Sequence, residues 1–196
     1  MARWLFRVVA LPLRSLYYRL RPPAYLSQSR LASRFSDENM ALLDFRVGDR
    51  PPFFLDIRQR EETVDRWLRS FPKASYERLI EDADRICRHE FDLLGSGLHQ
   101  MGEVIDWHVD FKTGAGWDPI LPSKLQPRTL PDPGSDIKVP WELSRFQHLP
   151  TLGKAYWLTN RQEYAREFVD QFVDWHHKNP PEYGVNWMCT MDVAIR

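Results

Sequence analysis

The clearest periodic signal along the chain begins at Ser75, where Leu79, Ile80, Ala83, Ile86 and Cys87 recur at helical spacing among charged residues. It predicts an amphipathic helix, with Gly95 placed to stop it. A second helical pattern starts at Trp141: Leu149, Leu152, Tyr156 and Phe146 fall on one side, and Pro150 is expected to kink or break the run. Asn160 and Glu163 then have the spacing of a capping box, and Tyr164, Phe168, Phe172 and Trp175 follow on one face of the next helix. Two antiparallel helices joined by a short turn account for this stretch. Pro180 and Pro181 cannot continue the second of them, and a third helix is expected from about Asn186, with Met188, Met191 and Ile195 in step.

Between these helices the pattern changes. Residues 105–139 are dense in Pro, Gly and aromatics and have no long period, more irregular chain than a compact domain carries unless it lines a binding cleft. Residues 49–59, "DRPPFFLDIRQ", read as a turn followed by a short strand or extended segment. The order helix, turn, helix, Pro-rich loop, helix gives a mainly α fold of helical hairpins, the arrangement of helical arrays and toroids. The last helical pattern is still running at Arg196, so the 196 residues are expected to be the front part of a longer protein. Two regions are expected: a basic N-terminal segment, 1–50, and the front of a helical domain, 51–196.

Composition supports a folded chain, 43% hydrophobic and 13% aromatic. The 27 basic and 27 acidic side chains cancel, so no whole-chain field draws the protein to nucleic acid. The balance hides an asymmetry, because Arg3, Arg7, Arg14, Arg19, Arg21, Arg30 and Arg34 all precede the first acid, Asp37. With Trp4, Leu5, Val8, Leu11 and Leu16, residues 1–21 can form an amphipathic segment on a membrane surface, or a helix packing its apolar stripe on the rest of the protein. Pro12 and Arg14 break the apolar run and no small-residue cleavage site follows, which argues against a conventional signal peptide. No stretch approaches the roughly 20 apolar residues that span a bilayer. Two cysteines, Cys87 and Cys189, are too few for a tetrahedral zinc site or a disulfide framework and leave the redox compartment open.

Three stretches, "DWHVDFKTGAGWD", "WELSRFQHLPTLGKAYWLTN" and "NPPEYGVNWMCTMDVAIR", in this order and spacing, resemble the N-terminal region of the heparinase II/III family of polysaccharide lyases. The likeness covers approximately residues 75–196. It implies an incomplete α/α toroid, followed in the family by an antiparallel β-sandwich that this chain lacks. It also implies an acidic, uronate-containing polysaccharide as substrate, cleaved by β-elimination in a groove between the two domains, with no cofactor. Family enzymes neutralise the uronate carboxylate with an Asn or His and move protons with a Tyr and a His. That Tyr and at least one His are expected beyond Arg196. The chemistry needs such groups because removing the C5 proton builds charge on the carboxylate, while a base takes the proton and an acid protonates the leaving oxygen.

Asn186 is the candidate for the carboxylate contact, since it opens a helix after a Gly-containing loop, where backbone N–H groups also face an anion. Equally it reads as a plain N-cap. Trp187 can stack on a sugar face or pack in the core. Arg145 stands three residues from Glu142, as a brace across the cleft or as a cation for the substrate, and His148 lies a turn further on. In "DWHVD", Asp106, His108 and Asp110 alternate, placing His108 in the cleft loop; three such residues without a distant fourth are weak grounds for a metal, and none is assigned. His176, His177, His89 and His99 read as ordinary solvated residues. Two other functions compete with a lyase: a non-catalytic helical glycan-binding or scaffolding module of exopolysaccharide metabolism, and an α/α-barrel glycoside hydrolase, for which no carboxylate pair stands out. An acidic envelope glycan would place the protein in the cell envelope or periplasm, with the cytoplasm as the alternative.

Overall fold

The structure is a computed structural model and describes residues 59–195. The basic segment 1–50, with its membrane-surface reading, and the extended run expected before Gln59 lie outside them. Among the described residues the fold is carried by six α-helices: α1 (Arg60–Ser70), α2 (Lys73–Cys87), α3 (Lys138–Ser144), α4 (Leu149–Thr159), α5 (Gln162–Lys178) and α6 (Thr190–Ile195). Two small antiparallel hairpins accompany them, β1 (Glu90–Asp92) with β2 (Leu98–Gln100) and β3 (Val109–Asp110) with β4 (Ala115–Gly116). The molecule is thus mainly helical with minor sheet. Among the described residues no helix is long and apolar enough to cross a membrane.

The core forms where α2, α4 and α5 meet the segment 105–110, which leads into β3. Ala83 and Ile86 of α2, Leu149, Leu152 and Ala155 of α4, Tyr164 and Trp175 of α5, and Phe91, Ile105 and Trp107 from the connecting chain make one buried cluster. Phe146 is packed among the rings of Trp107, Phe172 and Trp175, with centroids 5.3 to 6.1 Å apart. The polar ends of the buried aromatics are satisfied: Trp107 Nε1 donates to Asp174 (2.8 Å), Trp175 Nε1 to Ser144 Oγ (3.0 Å) and the Tyr164 hydroxyl to Asp84 (2.7 Å).

Several local expectations are corrected. Helix α2 ends at Cys87, well before Gly95, because His89 takes a left-handed conformation (φ 54°) and its ring is held outside the helix. Its Nδ1 donates to the Gly102 carbonyl (2.8 Å) and its Nε2 faces Glu167 (3.0 Å), so His89 is engaged rather than solvated. Gly95 (φ 68°) instead serves the turn between β1 and β2. The chain breaks at Phe146 (φ 60°), not at Pro150, which sits in the first turn of α4, where its missing N–H costs nothing. Asn160 is the left-handed C-cap of α4 rather than the N-cap of α5, and Glu163 pairs with Arg161. Arg60 completes that cap, its guanidinium donating to the carbonyls of Tyr156 (3.0 Å) and Trp157 (2.8 Å) and to Asn160 Oδ1 (3.0 Å). On α5, Phe168 turns outward while Tyr164 and Trp175 are buried, and His176 and His177 are partly buried with their Nε2 atoms shielded from water. Asn186 lies in a 3₁₀ turn, Val185–Trp187, and the last helix starts only at Thr190.

Candidate functional site

The long Pro/Gly-rich stretch is irregular in path yet fixed in place by side chains. The buried Asp110 carboxylate accepts from the backbone N–H of Lys112 (2.9 Å) through one oxygen and of Asp136 (2.8 Å) through the other, pinning the β3–β4 turn to a segment 26 residues on. Trp117 donates its backbone N–H to the His108 carbonyl and its ring N–H to Pro127 (both 2.9 Å). Gln126 donates to the carbonyls of Asp118 and Leu121. This is how a loop without α-helix or long strand pairs its buried polar groups, with Gln126 Oε1 and His108 Nε2 as the exceptions.

Against the loop lies 179–187. Gly184 N donates to the Leu121 carbonyl (2.9 Å), Ser123 N to Glu182 (2.7 Å), and Pro122 and Tyr183 form a β-bridge. Asn186 is fully buried and its Nδ2 donates to the Trp107 carbonyl (2.7 Å) and to Asn179 Oδ1 (2.8 Å). Asn179, also buried, donates in turn to the Trp175 carbonyl (2.9 Å), and the Trp187 ring N–H caps its carbonyl (3.0 Å). The two asparagines thus tie the end of α5, the turn before β3 and the 3₁₀ turn together, with Trp187 packed on Trp175 (6.1 Å between centroids).

His108 enters the same locus. Its ring is buried and its Nε2 has no hydrogen-bond partner among the described residues. Burial drives its pKa down to about 4, with Asp106 and Asp118 pulling the other way. A Cβ on Gly184 would stand 2.6 Å from that Nε2, so the two loops close only over glycine. Asp106 is exposed whereas His108 and Asp110 are buried, so the alternating residues do not act as one set; among the described residues no three metal-ligating side chains converge.

Arg145 stands at the far side of the 3₁₀ turn. Its guanidinium engages Glu142 and, through Nε, the fully buried Asp192 of α6 (2.5 Å). The pair with Asp192 raises the Arg145 pKa, so the side chain stays charged. Trp141 Nε1 donates to the Val185 carbonyl (2.9 Å), and this bond, rather than Arg145, ties α3 to that turn. His148 is elsewhere: it lies against Phe91 (5.1 Å) and its Nε2 meets Gln171 Oε1 (2.7 Å), whose amide donates to Glu167 (2.7 Å), the partner of His89. Shielding pushes the His148 pKa down to about 4 against the bond to Gln171.

The structure therefore gathers Asn186, Trp187 and His108 in one locus, sets Arg145 beside it, and leaves His148 in a separate polar relay. Asn179, Gly184 and Asp192 were not singled out from the sequence. Gly184 in "PPEYGVN" is the one with a readable signal, a glycine inside a loop next to a candidate residue.

The profile of the heparinase II/III N-terminus family matches residues 54–196, the stretch that builds this locus and the core beneath it. The chain belongs to this family. Among its curated relatives, a heparin-sulfate lyase of Pedobacter heparinus is 28% identical over 138 residues, which is 70% of this chain and 15% of that protein. A heparin-sulfate lyase of Bacteroides stercoris is 38% identical over 48 residues, 24% of this chain and 7% of that protein. The chain spans only a small share of the length of these relatives. No solved structure matches it.

Proposed function

We propose that these residues are the front part of a lyase that cleaves an acidic, uronate-containing polysaccharide by β-elimination. The observation that carries this is the match of residues 54–196 to the heparinase II/III N-terminus, supported by relatives that are named heparin-sulfate lyases. In this proposal the helices belong to an incomplete α/α toroid, and a β-sandwich with the proton-transferring Tyr and His completes the groove from outside these 196 residues. Such a substrate places the protein in the cell envelope or periplasm.

Elimination needs donors held in advance where charge develops on the uronate carboxylate. Both hydrogens of the Asn186 amide face Trp107 and Asn179, so we assign Asn186 a positioning role: it holds the segment 105–110 against the 179–187 loop at the wall of the proposed groove. Trp187 is held at the Asn179 carbonyl beside it, Trp141 ties α3 to the turn, and Arg145 fastens α6 to the end of α3.

Full-length protein incubated with a panel of uronate polysaccharides is expected to generate the ultraviolet absorbance of the C4–C5 unsaturated product. Folded protein that produces none on any acidic glycan overturns the lyase assignment. Asn186→Ala, assayed well below its own unfolding midpoint, is expected to lose on the order of tenfold or more in kcat through misplacement of the segments it holds; a folded variant with unchanged kcat removes Asn186 from the reaction. A second reading, a non-catalytic glycan-binding module, is favoured by one observation: Asn186, Arg145 and His148 are all already engaged within the protein. Glycan binding without product absorbance would select it.

A further inference from the structure

Helix α1 has two faces, and neither is buried. Glu62 with Arg66 (2.8 Å) and Asp65 with Arg69 (3.5 Å) pair at i, i+4 along one side and mark it as the face turned to water. Val64, Trp67, Leu68 and Phe71 recur at helical spacing on the other side, the stripe by which an amphipathic helix packs on a core. Yet no residue of α1 is buried, and Leu68 and the capping Phe71 are 40% and 53% exposed. The apolar side of this helix is built for a neighbour that the described residues do not supply.

That side forms one wall of a groove of about 360 Å³, in which Trp67, Leu68 and Phe71 meet Tyr76 and Leu79 of α2 and Leu158 of α4. Trp67 and Phe71 stand edge to face, with centroids 6.3 Å apart, and Leu79 packs against the central cluster, so the groove is continuous with the core. So small a patch falls far short of the roughly 20 to 30 residues a side of a stable interface between copies, but it matches a short stretch of chain. The protein delivers such a stretch to the groove's edge. Arg60, the first residue of α1, donates to the carbonyls of Tyr156 and Trp157, next to Leu158 of the lining. Immediately before it the sequence reads "PPFFLDIR", residues 51–58, in which Phe53, Leu55 and Ile57 alternate with Phe54, Asp56 and Arg58. An extended chain with that alternation has one wholly apolar side. Fully extended it reaches roughly 28 Å, against about 17 Å for the length of α1, so the whole lining is within its span. Closure over so few residues also costs less than bringing in a more distant segment.

We propose that residues 53–57 of this chain turn back along α1 and occupy the groove, with Phe53, Leu55 and Ile57 toward Trp67, Phe71 and Tyr76 and with Asp56 and Arg58 toward water. The proposal stands apart from the lyase reading and is tested without turnover. Full-length protein carrying Phe71→p-benzoylphenylalanine, which keeps an aromatic ring in the groove, is irradiated and its adducts are mapped by mass spectrometry, using a mixture of heavy-isotope and light protein to tell one chain from two. Adducts are expected on residues 51–57 of the same chain. They should be on the order of tenfold more abundant than from Arg69→p-benzoylphenylalanine, which carries the probe at nearly the same distance along α1 but on its salt-bridged face. Amide hydrogen exchange supplies a second readout. The double variant Phe53→Ser/Leu55→Ser is expected to speed exchange in α1 on the order of tenfold, while Phe54→Ser, on the other side of the extended run, stays within about twofold of wild type.

Adducts between heavy and light chains would make the groove a contact between copies and overturn the proposal. So would adducts confined to another segment of the same chain, equal yields from positions 71 and 69, or no adduct at all. Exchange in α1 that is unchanged in the double variant, or that Phe54→Ser speeds as much, overturns it as well.

Discussion

At the scale of single residues, the site is governed by where side chains cannot go. Gly184 has φ 71° and ψ 178°, a conformation reserved almost wholly to glycine, and any Cβ there would meet the buried His108 ring. Gly184→Ala is therefore expected to cost on the order of 1 to 3 kcal/mol from the backbone alone, with further loss as His108 is displaced. Chemical denaturation measures this, and an unchanged midpoint would show that the two loops do not close as described. A glycine between "PPEY" and "VNW" could be seen in the sequence, but its reason could not, because the contact crosses 76 positions to a histidine in another loop. Asn186 shows the same limit. Its position invited an N-cap or a ligand-facing reading, whereas tertiary packing uses its amide to bind Trp107 and Asn179.

At the scale of elements, α6 is a short helix held by charge more than by apolar packing. Of its six residues only Asp192 is buried, while Met191, Val193 and Ile195 are exposed. What fastens it to α3 is the bond from Arg145 Nε to Asp192, inside a triad whose other acid is Glu142. Removing one charge from a buried pair leaves its partner uncompensated, a loss of about 3 to 5 kcal/mol. Asp192→Asn is expected to lower stability by an amount near the bottom of that range, because Glu142 still serves Arg145, and to speed amide hydrogen exchange in α6 before the rest of the protein. Uniform exchange throughout would mean that the pair does not anchor the helix. The helices themselves were legible from period 3.6: α2 begins within two residues of its expected start, and α4 and α5 pack as neighbours joined by Asn160 and Arg161. Their ends were not. Left-handed residues at His89, Phe146 and Asn160 stop helices here, and a non-glycine adopts that conformation only because distant groups, Gly102, Glu167 and Arg60 among them, hold the local polar atoms.

At the scale of the whole molecule, the histidines couple the fold to pH with opposing signs. Burial lowers the pKa of His108 and of His148 to about 4, below the unfolded value near 6.5. Unfolded chain therefore takes up protons that folded protein refuses, so each group contributes stability above pH 6.5 that is lost as the pH falls toward 4. By pH 4.5 this amounts to about 2 to 3 kcal/mol for each histidine. His89 runs the other way. Its hydrogen bond to Glu167 raises its pKa, so its contribution is complete below pH 6.5 and fades as the pH climbs through the raised value. Burial, and after it the neighbouring His177, also lowers the pKa of His176; three lowered groups outweigh one raised group, and the net expectation is a loss of stability between pH 6.5 and 4.5. Denaturant midpoints at the two pH values, compared with those of His148→Gln, separate the contributions. Glutamine keeps a donor for Gln171 but cannot take a proton, so the variant should lose about 2 to 3 kcal/mol less than wild type across the window. Equal losses in the two proteins would mean that His148 is already charged in the folded state, and the relay through Gln171, Glu167 and His89 would then hold two cations around one carboxylate.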